Sequence, residues 1–280
     1  MGAELNWVIA SPSEAQVVID AFDLNRVERK SRLFPVYESK DQSVRLVISG
    51  IGKVSAAAAT AALASSSESF RSAVGWINFG IAGCSETRYG EAFLASKVTD
   101  AGNSRSWFPI PVWPKRVDLP RMNLTTAEKP LEEYSSLEGL VDMEAAGFYP
   151  IALRQCSVEL AHVIKVVSDD PEHSIELLNK KKAQSLCFDA WDSIGDCLAA
   201  FREVLNVDSA RLADPPGFTE WCREFHFTIT SQHQLRRLLQ EWQAISRGDS
   251  LPLPDNGNGK LALKFLREII EEKRRSEIGG

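Results

Sequence analysis

Hydrophobic residues recur along the first two thirds of the chain in short runs that have the length of buried strands. Such runs lie at 7–10, 44–48, 73–79 and 161–167. Segments with helical character separate them, for example the alanine-rich stretch 55–64. Strands that alternate with helices predict an α/β fold built on one mostly central sheet.

The segment that contains the first glycine cluster has the order strand, glycine turn, helix. Ser-Gly-Ile-Gly-Lys-Val at 49–54 joins the apolar run 44–48 to the alanine-rich helix. A helical crossover makes the strands on its two sides parallel. We therefore expect the strands at 44–48 and 73–79 to be parallel neighbours.

The pattern changes near residue 206. Proline, glycine and aspartate in 207–217 predict a linker, and apolar residues at every third or fourth position of 235–242 predict an amphipathic helix beyond it. Residues 206–280 carry 11 basic and 11 acidic side chains, which favours a solvated helix surface over a nucleic-acid patch. The sequence thus predicts an α/β domain over 1–205 and a helical extension over 206–280.

Charge and hydropathy limit the partners of the chain. The net charge of −6 and the pI near 5.4 argue against a nucleic-acid partner, because clustered Lys and Arg supply most non-specific binding to polyanions. No window approaches the ~18 apolar residues of a membrane helix, and no signal peptide is evident. We expect a cytoplasmic protein with neither membrane nor nucleic acid as partner.

The five cysteines form no C-x-x-C pair and have no histidine at metal-ligand spacing. This pattern favours buried free thiols over metal ligands or nucleophiles. The sequence predicts no metal site and no cofactor.

Polar or flexible residues follow three of the apolar runs. The segments are Ser-Gly-Ile-Gly-Lys-Val at 49–54, Val-Asp-Met-Glu-Ala-Ala at 141–146 and Val-Val-Ser-Asp-Asp at 166–170. Ligands bind beyond the carboxyl ends of strands in open α/β sheets. These three segments are therefore the candidate site.

Four motifs, in this order, resemble the purine nucleoside phosphorylase and methylthioadenosine/S-adenosylhomocysteine nucleosidase superfamily. They are Gly-Ile-Gly-Lys-Val-Ser-Ala-Ala at 50–57, Asn-Phe-Gly-Ile-Ala-Gly at 78–83, Val-Asp-Met-Glu-Ala-Ala at 141–146 and Val-Ser-Asp at 167–169, with Pro-Ser-Glu-Ala at 12–15 resembling a helix start of that family. The resemblance covers about the first 205 residues. It implies a three-layer α/β/α domain with a central mixed sheet that cleaves the N-glycosidic bond of a purine nucleoside.

The resemblance also implies roles for the acids near the glycosidic bond. Asp169 matches the acid that donates a proton toward N7 of the purine, and Ser168 would orient it. Protonation matters because a neutral base leaves more readily than an anion. Glu14 matches the base that activates the attacking water in the nucleosidase branch.

The remaining matched residues contact the sugar in the family. Glu144 matches the carboxylate that accepts hydrogen bonds from the 2′ and 3′ hydroxyls and stabilises positive charge on the sugar. Met143 matches an apolar contact beneath the sugar, and Ala82 and Gly83 lie in the turn that passes near base and sugar. A homodimer is the expected assembly.

Each acid also has a structural interpretation. Glu14 suits the first turn of a helix, where the dipole favours an acid. Asp169 could cap a helix, and Glu144 could be another first-turn acid. The shared order of the motifs favours the functional roles.

The nucleophile distinguishes two kinds of enzyme in this superfamily, because phosphorylases use phosphate and nucleosidases use water. Many phosphorylases place an arginine before the Gly-x-x-Gly turn and a Ser or Thr within it, where this chain has Asn78 and Ile81. Neither replaces the bidentate charge of arginine on phosphate. Hydrolysis is expected. Phosphorolysis stays open, because Ile81 also departs from the small polar residue common in nucleosidases and because Arg88 or Arg105 could enter the site.

A third hypothesis is a non-catalytic nucleoside-binding or partner-docking module. Retention of Glu14, Glu144 and Asp169 argues against it, since binding alone needs no proton donor at the base. Trp107 or Phe108 could stack on a purine or anchor a loop. The base and the 5′ substituent stay open, a 5′-modified adenosine being one candidate.

Overall fold

The computed structural model describes residues 4–28, 33–65, 73–113, 117–130, 138–246, 248–254 and 258–278. The chain forms two compact units, 1–212 and 213–280.

The described part of the first unit contains ten strands and five α-helices. The strands are β1 (Glu4–Ile9), β2 (Asn25–Arg26), β3 (Val36–Glu38), β4 (Val44–Ile48), β5 (Val74–Cys84), β6 (Ala92–Asp100), β7 (Ser106–Trp107), β8 (Arg121–Thr126), β9 (Leu140–Asp142) and β10 (Ala161–Asp169). The helices are α1 (Pro12–Ala21), α2 (Lys53–Ser65), α3 (Ala145–Ala152), α4 (Lys180–Asp189) and α5 (Trp191–Leu212). Short 3₁₀ turns lie at Val158–Leu160 and Ile175–Leu177.

The strands form one mixed sheet, part of which closes on itself. β2, β3, β4, β1 and β5 follow one another across the sheet. β5 then pairs with both β10 and β9, which β6 and β8 connect to each other. β4 and β5 are parallel to β1, which lies between them. The prediction that β4 and β5 are neighbours was wrong, because β1 occupies the central position.

Helices cover the sheet on both faces. One apolar cluster joins the sheet to α1, α4 and α5, and a second joins it to α2 and α3. The long strand β5 contributes to both clusters, with Ile77 and Phe79 in the first and Trp76 and Ala82 in the second. The three-layer α/β/α architecture is confirmed.

The packing of α3 on the start of α2 depends on a glycine. A Cβ at Gly147 would overlap the backbone carbonyl of Lys53. Only a residue without a side chain lets α3 approach α2 this closely. The glycine turn before α2 and the residues before α3 are thereby held together.

The second unit has its own core. It contains α6 (Phe218–Glu224), α7 (Ile229–Ile245) and α8 (Gly259–Ile278). Trp221, Leu235, Leu239 and Leu266 are buried among the apolar residues that these helices share. The predicted boundary after 205 lies inside α5, because residues 207–212 continue that helix as its last turns rather than forming a linker.

The structure bears on two expectations from the sequence, one about the cysteines and one about membrane-spanning helices. All five cysteines are free thiols, and burial raises the pKa of Cys156 and of Cys197 to about 12. These two thiols therefore stay protonated. None of the helices in the described residues has both the length and the apolar content that crossing a membrane requires.

Candidate active site

A cleft of about 180 Å³ lies where the ends of β1, β5, β9 and β10 meet. All seven residues assigned from the motifs line it: Glu14, Ala82, Gly83, Met143, Glu144, Ser168 and Asp169. The other described lining residues are Ala10, Ile51, Ile81, Lys129, Pro130, Val141, Asp142, Ile175 and Leu178. The structure thus brings together segments that lie more than 150 residues apart in sequence.

Asp169 ends β10 at an irregularity of the sheet. Val167 pairs with Ala82 and Asp169 pairs with Gly83, so Ser168 is one extra residue opposite β5. Such a bulge turns side chains away from the regular alternation of a strand. Ser168 Oγ donates a hydrogen bond of 2.5 Å to Asp169 Oδ1, and both residues are buried. Asp169 belongs to a strand end and does not cap a helix.

The neighbouring Asp170 has a structural role. Its carboxylate accepts hydrogen bonds from the backbone N–H groups of Arg88 and Tyr89, at 2.9 and 2.8 Å, and from the His173 ring at 2.9 Å. Although burial opposes it, these donors hold the pKa of Asp170 below its ordinary value. Asp170 ties the loop after β10 to the loop after β5, and Asp169 is the member of the pair that lines the cleft.

Glu14 reaches the cleft from the first turn of α1. Its Oε1 accepts a hydrogen bond of 2.5 Å from Ser11 Oγ, and its Oε2 accepts one of 3.2 Å from the Ile81 N–H. A Cβ at Gly80 would overlap Oε2. Gly80 therefore gives the carboxylate room to lie against β5.

Glu144 occupies the position before α3 but makes no side-chain capping bond to that helix. Its Oε1 instead accepts a hydrogen bond of 2.8 Å from the Gly52 N–H. Gly52 has a φ of 99°, a left-handed backbone conformation that favours glycine. The glycine turn thus orients a carboxylate of the cleft, a role that the sequence did not reveal.

Lys165 was missed by the sequence analysis. It lies in the middle of the apolar run of β10 and is 1% exposed, and its Nζ is 2.8 Å from Asp142 Oδ2. Asp142 also accepts hydrogen bonds from Thr126 Oγ1 at 2.7 Å and from the Ala145 N–H at 2.9 Å. A lysine inside an otherwise buried strand was the available signal, since a buried cation needs a partner.

Charges in the cleft are mutually dependent. Burial disfavours the ammonium form of Lys165, but the carboxylates of Asp142, Glu144 and Glu14 raise its pKa above the ordinary value. Burial raises the pKa of Glu14 and of Glu144, and Lys165 opposes both increases. Lys165 therefore supplies the positive charge that allows several acids to share one small space.

The residues proposed as alternatives lie outside the cleft lining. Trp107 belongs to β7 and has the Arg105 guanidinium 5.6 Å from its ring centroid. Phe108 is 60% exposed. Arg88 pairs with Glu86 at 3.4 Å. In the part of the chain that the structure describes, the cleft has no aromatic residue and no arginine.

Asn78 has a place in the sheet that differs from the expectation. Its Nδ2 donates a hydrogen bond of 2.9 Å to the Val8 carbonyl, and the residue is 1% exposed. The side chain is enclosed within the sheet and does not line the cleft. The expectation that water rather than phosphate attacks the sugar therefore depends on the composition of the cleft, which Ile81 lines, and not on Asn78.

The described residues contain no group of three or more His, Cys, Asp and Glu side chains that could hold a metal ion. The carboxylates of the cleft have Lys165, backbone N–H groups and hydroxyl groups as partners.

Comparison with solved structures identifies the fold. The 5′-methylthioadenosine/S-adenosylhomocysteine nucleosidase of Colwellia psychrerythraea, in complex with adenine, superposes with a TM-score of 0.51 at 19% identity over 69% of this chain and 96% of its own. The nucleosidase of Chlamydia trachomatis gives 0.53 at 21% identity over 72% and 100%. The 5′-methylthioadenosine nucleosidase of Arabidopsis thaliana gives 0.53 at 20% over 70% and 96%.

The chain has the fold of these nucleosidases. The predicted fold class is thus confirmed by its structural neighbours. No protein-family model and no curated protein matches the sequence. The likeness that these comparisons show lies in three-dimensional structure.

Proposed function

We propose that this protein hydrolyses the N-glycosidic bond of a purine nucleoside and releases the free base and a ribose sugar. The observation that carries the proposal is the convergence of Glu14, Glu144 and Asp169 in one cleft. Each of the three side chains is no more than 6% exposed. Three carboxyl groups with different partners can serve different steps of one reaction.

Asp169 is the proposed acid for the leaving base. A carboxyl group that donates a proton to N7 lets the base depart as a neutral molecule. The Ser168 hydroxyl donates a hydrogen bond to one oxygen of the Asp169 carboxyl group and thereby contributes to the orientation of the acid in the cleft. A purine is favoured over a pyrimidine because only a purine has N7.

Glu144 and Glu14 are the proposed groups for the sugar and the water. Glu144, which is held by the Gly52 N–H, would accept hydrogen bonds from the ribose hydroxyls. It would also stabilise the positive charge that develops on the sugar as the glycosidic bond breaks. Glu14 would take a proton from the attacking water. Lys165 favours the ionised form of both carboxyl groups, which is the form that each role requires.

An adenosine with an apolar 5′ group is the proposed substrate class. Ile51, Ile175 and Leu178 give the cleft an apolar wall, which suits a substituent that does not need water. The Colwellia nucleosidase holds adenine. These observations support a 5′-modified adenosine over an unmodified nucleoside.

Replacement of Asp169 tests the proposal. We expect the purified protein to release free base from purine nucleosides in phosphate-free buffer, and Asp169→Asn to reduce the rate at least ~100-fold, the lower range of general acid catalysis. Liquid chromatography of the base measures both. Asp196→Asn on the exposed surface of α5 is the matched control. Full activity in Asp169→Asn would show that another group protonates the base.

A further inference from the structure

Ser11 stands at the point where α1 begins, directly before the turn that carries Glu14. It is the N-cap residue of the helix, with extended backbone angles, and Glu14 is the third helical residue. The sequence Ser-Pro-Ser-Glu fits the capping box, in which the glutamate side chain normally returns to the backbone N–H of the cap. The capping box therefore predicts that the Glu14 side chain bonds to the Ser11 backbone N–H.

The observed pair departs from that pattern. Ser11 Oγ is 3.4 Å from the Glu14 N–H nitrogen, a long capping bond, but 2.5 Å from Glu14 Oε1. The carboxylate reaches the Ser11 hydroxyl and, through Oε2, the Ile81 N–H of β5. The short bond is thus between two side chains, and the Glu14 side chain extends to the sheet.

Two donors from different elements fix the Glu14 carboxyl group. Ser11 holds one oxygen from α1 and Ile81 holds the other from β5, at the place where Gly80 leaves room. Ile81 offers only its backbone N–H, because its side chain is apolar. The Ser11 hydroxyl is the side-chain donor that can set the orientation of Glu14.

We propose that Ser11 is a positioning residue that fixes the orientation of the Glu14 carboxyl group as a hydrogen-bond acceptor in the cleft. This inference rests on the proposed function for its consequence in catalysis, but the contact itself does not. Burial raises the pKa of Glu14, and the Ser11 hydrogen bond is the largest effect that opposes the increase. Removal of the hydroxyl should therefore raise that pKa further.

An NMR titration tests the contact without reference to activity. In protein labelled with ¹³C-carboxyl glutamate, the Glu14 signal is assigned by its loss in Glu14→Gln. We expect the Glu14 midpoint to move to higher pH in Ser11→Ala, and to stay at the wild-type value in Ser11→Thr, which keeps the hydroxyl. Ser13→Ala, in the same helical turn, is the matched control.

Ser11→Gly separates positioning from capping. Glycine is accepted at an N-cap with a small loss of stability, so this variant removes the hydroxyl while keeping the helix start. We expect Ser11→Gly to shift the Glu14 midpoint as Ser11→Ala does. An unchanged midpoint in both folded variants would overturn the proposal and leave Ser11 as a helix cap alone.

Kinetics then separate this inference from the proposed function. We expect kcat to fall about tenfold in Ser11→Ala with KM nearly unchanged, and the acidic limb of the kcat/KM profile to move to higher pH together with the Glu14 midpoint. A wild-type protein that releases no base would contradict the proposed function, while the titration would still decide the role of Ser11. If the Glu14 midpoint shifts but the acidic limb of the kcat/KM profile does not, Glu14 is not the general base that activates the water.

Discussion

At the scale of single residues, residues that have no proposed chemical role decide where the carboxylates lie. Gly80 leaves the space that the Glu14 carboxylate occupies, and the Gly52 N–H binds Glu144. Lys165 provides the buried positive charge beside Asp142. The cleft therefore depends on small residues and one cation as much as on its acids.

Replacement of Gly80 by alanine tests the first of these contacts. The new methyl group would overlap Glu14 Oε2, the end of a flexible side chain that can move aside. We expect Gly80→Ala to fold with a stability near that of the wild type. It should release the purine at least ~100-fold more slowly, because a displaced Glu14 carboxylate cannot take the proton from water. Melting curves and the base-release assay measure the two effects, with Gly195→Ala as the control. Normal activity would show that Glu14 need not lie against β5.

His162 links the stability of the first unit to pH. It is 1% exposed, packs against Trp113 and Phe201, and makes a 3.0 Å hydrogen bond through Nε2 to the Glu159 carbonyl. Burial lowers the pKa of His162 to about 4, from 6.5. Because the unfolded chain binds the proton more readily, stability is full above pH 6.5 and falls as the pH decreases toward 4.

The loss at low pH that belongs to His162 is about 3 kcal/mol in the free energy of unfolding. His162→Gln keeps a donor for the Glu159 carbonyl but does not titrate. We expect urea unfolding at pH 7 and pH 4.5 to show a smaller decrease for the variant than for the wild type. Equal decreases would mean that other groups cause the acid sensitivity.

At this scale the sequence was informative where motifs exist and uninformative where contacts are long-range. The Ser-Asp and Met-Glu motifs pointed to Asp169 and Glu144, and both residues line the cleft. Lys165 was missed because its place inside the apolar run of β10 indicates burial but does not reveal its partner. Its significance depends on Asp142, which another strand brings beside it.

At the scale of elements, the prediction worked for strands with strong apolar runs. β1, β4, β5 and β10 are buried along most of their length, and their positions were predicted. β8 was missed, because its sequence Arg-Met-Asn-Leu-Thr-Thr alternates exposed and buried residues with few apolar ones. It pairs with both β6 and β9, and these long-range contacts cannot be predicted from its own sequence.

The contact between α2 and α3 provides a prediction at this scale. Gly147→Ala would place a methyl group against the Lys53 carbonyl, which is backbone and cannot rotate away. We expect a loss of about 1–3 kcal/mol or more in the free energy of unfolding. Gly195→Ala in α5, where a Cβ meets nothing within 4 Å, should instead stabilise by up to ~1 kcal/mol. Urea unfolding of the pair measures the difference, and equal stabilities would contradict the close packing.

At the scale of the whole molecule, the two units have separate apolar cores. The described residues that line the cleft lie between 10 and 178, within the first unit. Composition predicted a change of character near 206, but helix α5 continues to Leu212. A linker pattern and the end of a helix share residue types, so only the course of the backbone could place the boundary.

In the proposed reaction water, and not phosphate, attacks the sugar. The most direct test is to incubate the 280-residue protein with a purine nucleoside and radioactively labelled inorganic phosphate and to separate the products. We predict free base and reducing sugar in equal amounts, with no label in the sugar and a rate that does not depend on phosphate. Label in a sugar phosphate, or base release only when phosphate is present, would contradict the account.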